Sequence, residues 1–425
     1  MFQDRYDNSL STSSALARDA YIDAVDRFLS AEEGALEGFQ KAIEADPDFA
    51  LAYAGLARCH QILGNVQEAR TIVQHAEACG QPETTREQSH LNALGLLVRG
   101  KVPAAYAAIR AHCAEYPRDA MVAQTCTGVF GLIGFSGQPG REAEQLAFTS
   151  ALLPHYGDDW WFLGQHAFSQ AEAGQIGPAA ETIERSLNSN PRNANGAHIK
   201  AHIHYETGET AAGIAYMNDW RKDYSKAGIL HCHISWHVAL WALETGDEET
   251  MWQVVDTDVA PGGAWGPALN VLTDTAAILY RAELAGVPVS PDRWQAVSAY
   301  ATQFFPKTGL AFADVHAALA HAMAGNQEDL QRIAVEARGP AADMVQYLAN
   351  GFAAIGAENW TEAQNHLSRT MADHARIGGS RAQRDLIEYA YLGTLLKQGF
   401  SSEARRFLAT RRPVNIGTRS LNGLN

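Results

Sequence analysis

The sequence has few of the features that build cysteine-based or membrane-embedded structures. Its five cysteines are scattered and form no C-x-x-C pair, which argues against a disulfide framework and a zinc–thiolate site. No stretch reaches the roughly 20 apolar residues of a membrane helix, and the N-terminus lacks the apolar segment of an export signal. We therefore expect a cytoplasmic protein with reduced, mostly buried thiols.

Positive charge is also in deficit. The chain has 33 lysines and arginines against 48 aspartates and glutamates, a formal net charge of −15. Binding to nucleic acid needs clustered basic residues, and an anionic membrane surface would repel this chain. We expect neither as a partner. Phosphate-loop, nucleophile-elbow and Cys/His dyad patterns are absent from the sequence as well.

What the chain does contain is a repeated pattern of helix, glycine turn and helix. In the clearest unit, Ala50–Ala78, apolar and small residues recur at helical spacing on both sides of Gly64. Asp46-Pro47 ends the helix before it, because the residue preceding a proline avoids the helical region. Similar turn glycines recur at about the 34-residue tetratricopeptide period, at Gly100, Gly134 or Gly137, Gly174, Gly208, Gly246, Gly286, Gly325, Gly356 and Gly399.

This pattern predicts an all-α protein, an α-solenoid of about ten tetratricopeptide-like helical hairpins. Stacked hairpins bury each other's faces and leave an inner surface lined by the first helix of each unit. We expect one such domain over residues 1–411, curved or closed around an inner groove. Residues 412–425 are rich in Gly, Asn and Ser and are predicted to be a flexible tail.

Several blocks of the sequence are similar to those of a known family. The strings are DDWWFLGQHAF, NANGAHIKAHIHYETGE, HCHISWHVALWALETGD, FADVHAALAHAMAGN and GGSRAQRDLIE. They resemble the tetratricopeptide repeat protein 38 family from about Arg18 to Arg411. The resemblance implies an all-α repeat protein and brings no established activity, so the chemistry is argued from the residues.

Histidine is concentrated on two adjacent first helices. His198 and His202 are four residues apart, as are His233 and His237, so each pair shares one helical face. The two pairs lie about one repeat apart, and their registers agree to within about one helical turn. We expect both pairs to reach the inner surface.

Two later units add polar groups to the same predicted surface. Asp274 lies on a helix that follows, and Asp314 and His316 begin another. Imidazoles with a carboxylate suit a divalent transition metal such as Zn²⁺. The same groups without metal could perform acid–base chemistry near neutral pH. The remaining interpretation is that these histidines form hydrogen bonds within helix packing.

The block GGSRAQRD predicts a capped helix start with a basic residue in its first turn. Ser380 fits the N-cap and Gln383 completes a capping box. Arg384 beside a positive helix end favours an anion or an acidic partner there. Ser380 and Arg384 are therefore candidate anion-binding residues; a well-capped helix with a surface arginine is the alternative.

Tryptophans flank the histidine region and could wall a pocket for a small ligand, although packing between helices is the more common role of such residues. The candidates are Trp161, Trp236 and Trp241.

Two functions follow from these features. The first is a binding protein whose concave His/Asp-lined pocket holds a partner segment or a small polar or anionic ligand. The second is an enzyme of the hydrolase or lyase type, with an acid–base or metal site in that pocket. Zn²⁺ at the four histidines is the one cofactor the sequence suggests, and the sequence sets no oligomeric state.

Overall fold

The structure is a computed structural model that describes residues 2–79, 84–411 and 421–424. These residues form a short antiparallel hairpin, β1 (Phe2–Gln3) and β2 (Ser9–Leu10), with Phe2 opposite Leu10, followed by 22 α-helices. The first eleven are α1 Ala15–Ser30, α2 Ala35–Ala45, α3 Ala50–Ile62, α4 Val66–Ala78, α5 Thr85–Val98, α6 Val102–Glu115, α7 Ala120–Thr127, α8 Arg141–Tyr156, α9 Trp160–Glu172, α10 Ile176–Ser189 and α11 Ala194–Thr207.

The later helices are α12 Thr210–Trp220, α13 His231–Thr245, α14 Glu248–Val254, α15 Ala268–Leu284, α16 Pro291–Phe304, α17 Ala311–Ala324, α18 Gln327–Glu336, α19 Ala342–Gly356, α20 Trp360–Ser368, α21 Arg381–Lys397 and α22 Ser401–Arg411. Short 3₁₀ turns cover Arg221–Asp223 and His374–Ile377, and a π-helical turn covers Val255–Val259. Consecutive helices pack as antiparallel hairpins, so the predicted all-α solenoid is confirmed.

Local sequence sets the helix boundaries that position the inner surface. The Asp159 side chain accepts a hydrogen bond from Phe162 N–H and caps α9. Helices α11 and α13 end at Gly208 and Gly246, both in the left-handed conformation. Gly356 differs from the prediction: it is the last residue of α19, and the left-handed residue of that turn is Glu358.

The solenoid closes on itself through contacts far apart in the chain. In the first hairpin, Ala31 O accepts a hydrogen bond from Tyr224 Oη at 2.5 Å. At the other end, the Arg141 guanidinium donates to Ala375 O and Gly379 O, each at 2.6 Å. The first and last hairpins are thus both tied to the middle of the chain, and the inner surface surrounds a cavity.

The predicted tail is described only in part. Residues 412–420 lie outside the described residues, whereas Leu421 is buried and Asn422 N–H donates to Leu284 O at 2.7 Å. A single domain over residues 1–411 stays a prediction. Among the described residues, none of the helices has the length and apolar character needed to cross a bilayer.

Candidate functional site: a four-histidine cluster on the wall of an internal cavity

The four histidines predicted on two adjacent helices come together in the structure. His198 and His202 lie on α11, and His233 and His237 lie on α13. One ring nitrogen from each lies within 4.8 Å of those of the other three. The Nε2 atoms of His198 and His202 are 2.8 Å apart and share a hydrogen bond. The spacing of four residues within each helix and the packing of α11 beside α13 together produce this convergence.

The cluster is buried, and the pKa values of three of its four imidazoles are lowered. His237 has no exposed surface and His198, the most exposed of the four, retains 7%. Burial, with the positive charge of neighbouring imidazoles as a second cause, holds the pKa values of His198 and His237 well below their usual range. The same causes lower the pKa of His202 to about 3. Neutral imidazole is the form that binds a metal or accepts a proton.

A carboxylate orients one member of the cluster. Asp274 on α15 is fully buried, and its Oδ2 lies 2.8 Å from His233 Nδ1. Its other oxygen, Oδ1, accepts a hydrogen bond from Gln383 Nε2 at 3.3 Å. A carboxylate on Nδ1 leaves Nε2 of the same ring as the nitrogen available to a ligand.

Several buried nitrogens of the cluster have no hydrogen-bond partner among the described residues. They are both ring nitrogens of His237 and the Nδ1 atom of His202. The large majority of buried side-chain polar atoms in folded proteins have a hydrogen-bond partner, so several exceptions within one cluster call for an explanation. A donor set of four imidazoles that includes such unsatisfied nitrogens fits a transition-metal ion.

Two of the four histidines face a cavity of about 1430 Å³. His198 and His233 lie in its wall, together with Asn270 and Gln383. His202 and His237 are outside the wall, farther into the protein. The cluster therefore has a cavity side and an interior side.

The structure separates Asp314 from His316. His316 lies close enough to the cluster for the charge of Asp274 to act on it and to favour a higher pKa. Burial is the larger effect, and it lowers the pKa of His316 to about 4. Asp314 instead accepts a hydrogen bond from Gly309 N–H at 2.9 Å. Burial raises the pKa of Asp314 to about 6, with the charges of Arg332 and Arg338 opposing the change. Residues two apart on a helix point about 200° apart, so the prediction that both face the groove is corrected for Asp314.

The predicted anion site is filled by the protein's own carboxylates. Ser380 forms the predicted capping box with Gln383. Arg384 lies 2.9 Å from Glu142 Oε1 and 3.5 Å from Glu172 Oε2. Glu172 also accepts hydrogen bonds from the backbone N–H of Arg381, at 2.9 and 3.1 Å. The helix start therefore has an acidic partner, but an internal one, and we correct the expectation of an external anion there.

Of the three tryptophans predicted to wall the pocket, one lies in the cavity wall and two do not. Trp161 lies in the cavity wall, as predicted. Trp236 and Trp241 do not; both are almost completely buried. The Trp236 ring stacks on His233 with centroids 5.2 Å apart, and the Trp241 ring lies 6.0 Å from that of His237. These two rings support the histidines from behind, because side chains three or four residues apart share a helical face.

Comparison with known proteins agrees with this architecture. Residues 32–85 match the model described as "Tetratricopeptide repeat". The match spans α2, α3 and α4 and includes the Ala50–Ala78 unit read from the sequence. This part of the chain therefore contains a tetratricopeptide repeat.

Solved structures of other repeat proteins are distantly similar to it. Human IFIT1, in a structure of its dimer with m7Gppp-AAAA, is 12% identical, and the match covers 96% of this chain and 92% of that one with a TM-score of 0.45. Yeast Tom70 is also 12% identical, with 94% and 84% covered and a TM-score of 0.36. A tetratricopeptide repeat protein from Parabacteroides merdae is 11% identical, with 72% and 98% covered and a TM-score of 0.34.

Two parts of the site could not be predicted from the sequence. The connection between α7 and α8, residues 128–140, departs from the repeat pattern and contributes Phe130 and Phe135 to the cavity wall. Their rings pack on Phe312 of α17, with centroid distances of 5.5 and 6.0 Å. Gln383 was predicted only as a capping residue. The run of glycines and phenylalanines at 128–135 was the available sequence signal for the connection between α7 and α8.

Proposed function

We propose that this tetratricopeptide-repeat protein holds a small ligand in its internal cavity and binds a divalent transition metal, with Zn²⁺ the first candidate, at His198, His202, His233 and His237. The observation that carries the proposal is the convergence of four buried imidazoles, some of whose nitrogens have no hydrogen-bond partner among the described residues. The two cavity-facing histidines would connect the metal to the ligand.

The chemistry of the donor set favours a borderline metal over a hard one. Imidazole nitrogen suits Zn²⁺, Cu²⁺ and Ni²⁺, whereas Mg²⁺ and Ca²⁺ prefer oxygen ligands. The hydrogen bond between Asp274 and His233 matches the carboxylate–histidine pairing that orients metal ligands in many zinc proteins. A bound zinc ion would supply a positive charge able to polarise a ligand oxygen.

Metal analysis of untagged protein tests the proposal. We expect about one Zn²⁺ per chain after exposure to Zn²⁺ and removal of excess. His237→Asn removes a fully buried ligand nitrogen and should reduce the content to background. His321→Asn is the matched control, because His321 is equally buried but its Nδ1 bonds to Ser298 Oγ at 2.8 Å, away from the cluster.

The zinc contents of the wild type and the two variants decide between the outcomes. Stoichiometric zinc in the wild type and in His321→Asn, with none in His237→Asn, supports the metal site. A wild-type protein that takes up no transition metal, or a His237→Asn protein that takes up as much as the wild type, contradicts it. Thermal unfolding of each variant shows whether lost zinc reflects a lost ligand or lost folding.

The contacts between hairpins far apart in the chain favour a small molecule over an extended partner chain as the occupant. The cavity wall includes residues of the first hairpin and of α21, the opposite parts of the solenoid. Its volume of about 1430 Å³ exceeds the range of roughly 300–1,000 Å³ typical of drug-sized ligands. Protein partners, which repeat solenoids commonly bind on extended concave surfaces, are the competing occupants.

Metal-free acid–base catalysis is the second candidate function. It is favoured by the pairing of His233 with Asp274, because a carboxylate on one imidazole nitrogen orients the other for proton transfer. In this case metal-depleted protein would hydrolyse small ester substrates at the cavity, and Asp274→Asn would reduce the rate at least about 100-fold. Hydrolysis that requires zinc, or that is equal in Asp274→Asn, counts against it.

Assignment to the tetratricopeptide repeat protein 38 family is part of the proposal and rests on the sequence blocks alone. The GGSRAQRDLIE block is the most specific of these blocks. The cytoplasm as the compartment stays a prediction.

A further inference from the structure

Five arginines are buried among the described residues, and one differs from the others in its partners. Four donate hydrogen bonds to a carboxylate or to backbone carbonyl oxygens; they are Arg86, Arg141, Arg281 and Arg384. Arg58 on α3 is 9% exposed. Within residues 2–79, 84–411 and 421–424, no carboxylate oxygen lies within 4.0 Å of its guanidinium nitrogens.

The Arg58 guanidinium has a single hydrogen-bond partner in that part of the chain, the neutral amide of Gln61. Its Nη1 donates to Gln61 Oε1, and its Nε is buried without an acceptor. Gln61 is itself held in place, since its Nε2 donates to Leu97 O at 3.2 Å. An unpaired buried cation is costly, and burial lowers the pKa of Arg58 to about 10.

Arg58 and Gln61 lie in the wall of the same cavity as His198 and His233. Three of the four acidic residues of this wall have partners: Asp23 pairs with Arg27, Glu32 pairs with Arg192, and Glu33 accepts from Ser225. The fourth, Glu37, forms no ion pair with Arg58. The cavity therefore has a cationic position, separate from the four-histidine cluster, whose Nε donor has no acceptor among the described residues.

We propose that Arg58, positioned by Gln61, binds the carboxylate of a small organic acid whose apolar body lies in the cavity. The inference rests on the proposed ligand-binding role of the cavity and names the class of ligand, but it does not depend on the metal. A guanidinium matches a carboxylate in shape and charge, and such charge-assisted hydrogen bonds are the strong ones.

The cavity wall away from Arg58 and the histidines determines which ligand body can accompany the carboxylate. They are mostly apolar, with Leu132, Phe135 and Phe168 as large members. The Arg58 guanidinium beside the neutral Gln61 amide balances one negative charge, and the rest of the wall has more acidic residues (Asp23, Glu32, Glu33 and Glu37) than basic ones (Arg27 and Lys41). A monocarboxylate with an extended hydrocarbon chain therefore fits better than a polyanion or a sugar.

Binding of decanoate and of its neutral analogue decanamide tests this inference. Calorimetry measures both affinities on the full-length protein, and quenching of Trp161 and Trp265, which line the cavity, provides a second readout. We expect decanoate to bind wild-type protein at least about tenfold more tightly than decanamide. Arg58→Gln should abolish that preference by weakening decanoate alone.

Arg70→Gln is the matched control, because Arg70 lies exposed on α4, outside the cavity wall; its preference for decanoate should equal that of the wild type. Thermal unfolding separates ligand binding from a structural role. An arginine kept for its ligand can be neutralised without lowering the unfolding temperature, since no carboxylate loses its partner. If Arg58 instead stabilises the fold, Arg58→Gln should lower the unfolding temperature.

The inference is overturned if wild-type protein binds decanoate no better than decanamide, if it binds neither at millimolar concentration, or if Arg58→Gln keeps the preference. It is also overturned if an Ala/Leu hexapeptide with a free C-terminal carboxylate binds at least about tenfold more tightly than decanoate, which would assign the anchor to a peptide. Zinc content measured on the same samples keeps this result distinct from the metal proposal.

Discussion

His233 Nδ1 lies 2.8 Å from Asp274 Oδ2, and this contact joins two successive hairpins at the four-histidine cluster. It fixes the orientation of one imidazole and places negative charge next to the four rings. Gln383, from the last hairpin, holds the other oxygen of the same carboxylate. Two successive hairpins and a third that lies 109 residues farther along the chain thus converge on one ring. The first prediction concerns the contact between His233 and Asp274.

Asp274→Asn should weaken Zn²⁺ binding about 10- to 100-fold, because removing the orienting carboxylate of a metal ligand has effects of that size. Competition with a chelating indicator measures the affinity. Asp314→Asn is the control, since that carboxylate binds Gly309 N–H and lies outside the cluster. Equal affinities for the wild type and Asp274→Asn would show that this carboxylate does not support a metal ligand.

Gly379→Ala should lower the free energy of unfolding by about 3 kcal/mol or more. Gly379 has φ +76, and a Cβ there would lie 2.3 Å from Phe312 Cε2. Gly64→Ala is the matched control, because Gly64 has φ +86 with nothing within 4 Å of the added Cβ. It should cost only about 1–2 kcal/mol for the left-handed backbone. Urea unfolding measures both, and equal losses would remove the contact with Phe312 from the explanation.

Asp119→Asn should destabilise the protein by about 3 kcal/mol at neutral pH, because a buried charge network loses its anion. Arg86 Nη1 lies 2.5 Å from the Asp119 carboxylate, His90 Nδ1 2.9 Å and His112 Nε2 3.2 Å. Burial opposes ionisation of Asp119, but the charge of His90 and the hydrogen bonds from His112 and His90 outweigh it. They hold the pKa of Asp119 well below its usual value of 3.8.

The sign of the pH dependence follows from that lowered pKa. The stabilisation is complete above the unfolded-state pKa and is lost as the pH falls below about 4 towards the folded-state pKa, because the unfolded chain takes up the proton first. The difference between the wild type and Asp119→Asn should shrink in that range. Asp256→Asn is the control, because Asp256 pairs with Arg293 at the surface and should cost less than about 1 kcal/mol. A difference between wild type and Asp119→Asn that is constant down to pH 2 would contradict the account.

The solenoid and the histidine pairs could be predicted because they depend on local periodicity. Turn glycines and helical spacing reveal hairpins, and a spacing of four residues puts His198 with His202, and His233 with His237, on common faces. The contact between the pairs needs only that α11 and α13 be neighbours, which successive repeats ensure.

Other features depend on contacts that no local pattern encodes. The partners of Arg384 are Glu142 and Glu172, which are more than 200 residues earlier in the chain. Asp314 could be placed only by knowing which face of α17 packs against α15. The rotation between successive repeats accumulates along the chain and brings its distant parts together. No local pattern in the sequence predicts this rotation, so neither the closure of the solenoid nor the position of Arg58 in the cavity wall could be predicted.

X-ray absorption at the zinc edge of the reconstituted, untagged protein tests the central claim most directly. The account predicts a first shell of nitrogen atoms at about 2.0 Å, with the outer-shell pattern of about four imidazoles, lost in His237→Asn and kept in His321→Asn. A first shell of oxygen alone, a sulfur shell at about 2.3 Å, or protein that retains no zinc would contradict it.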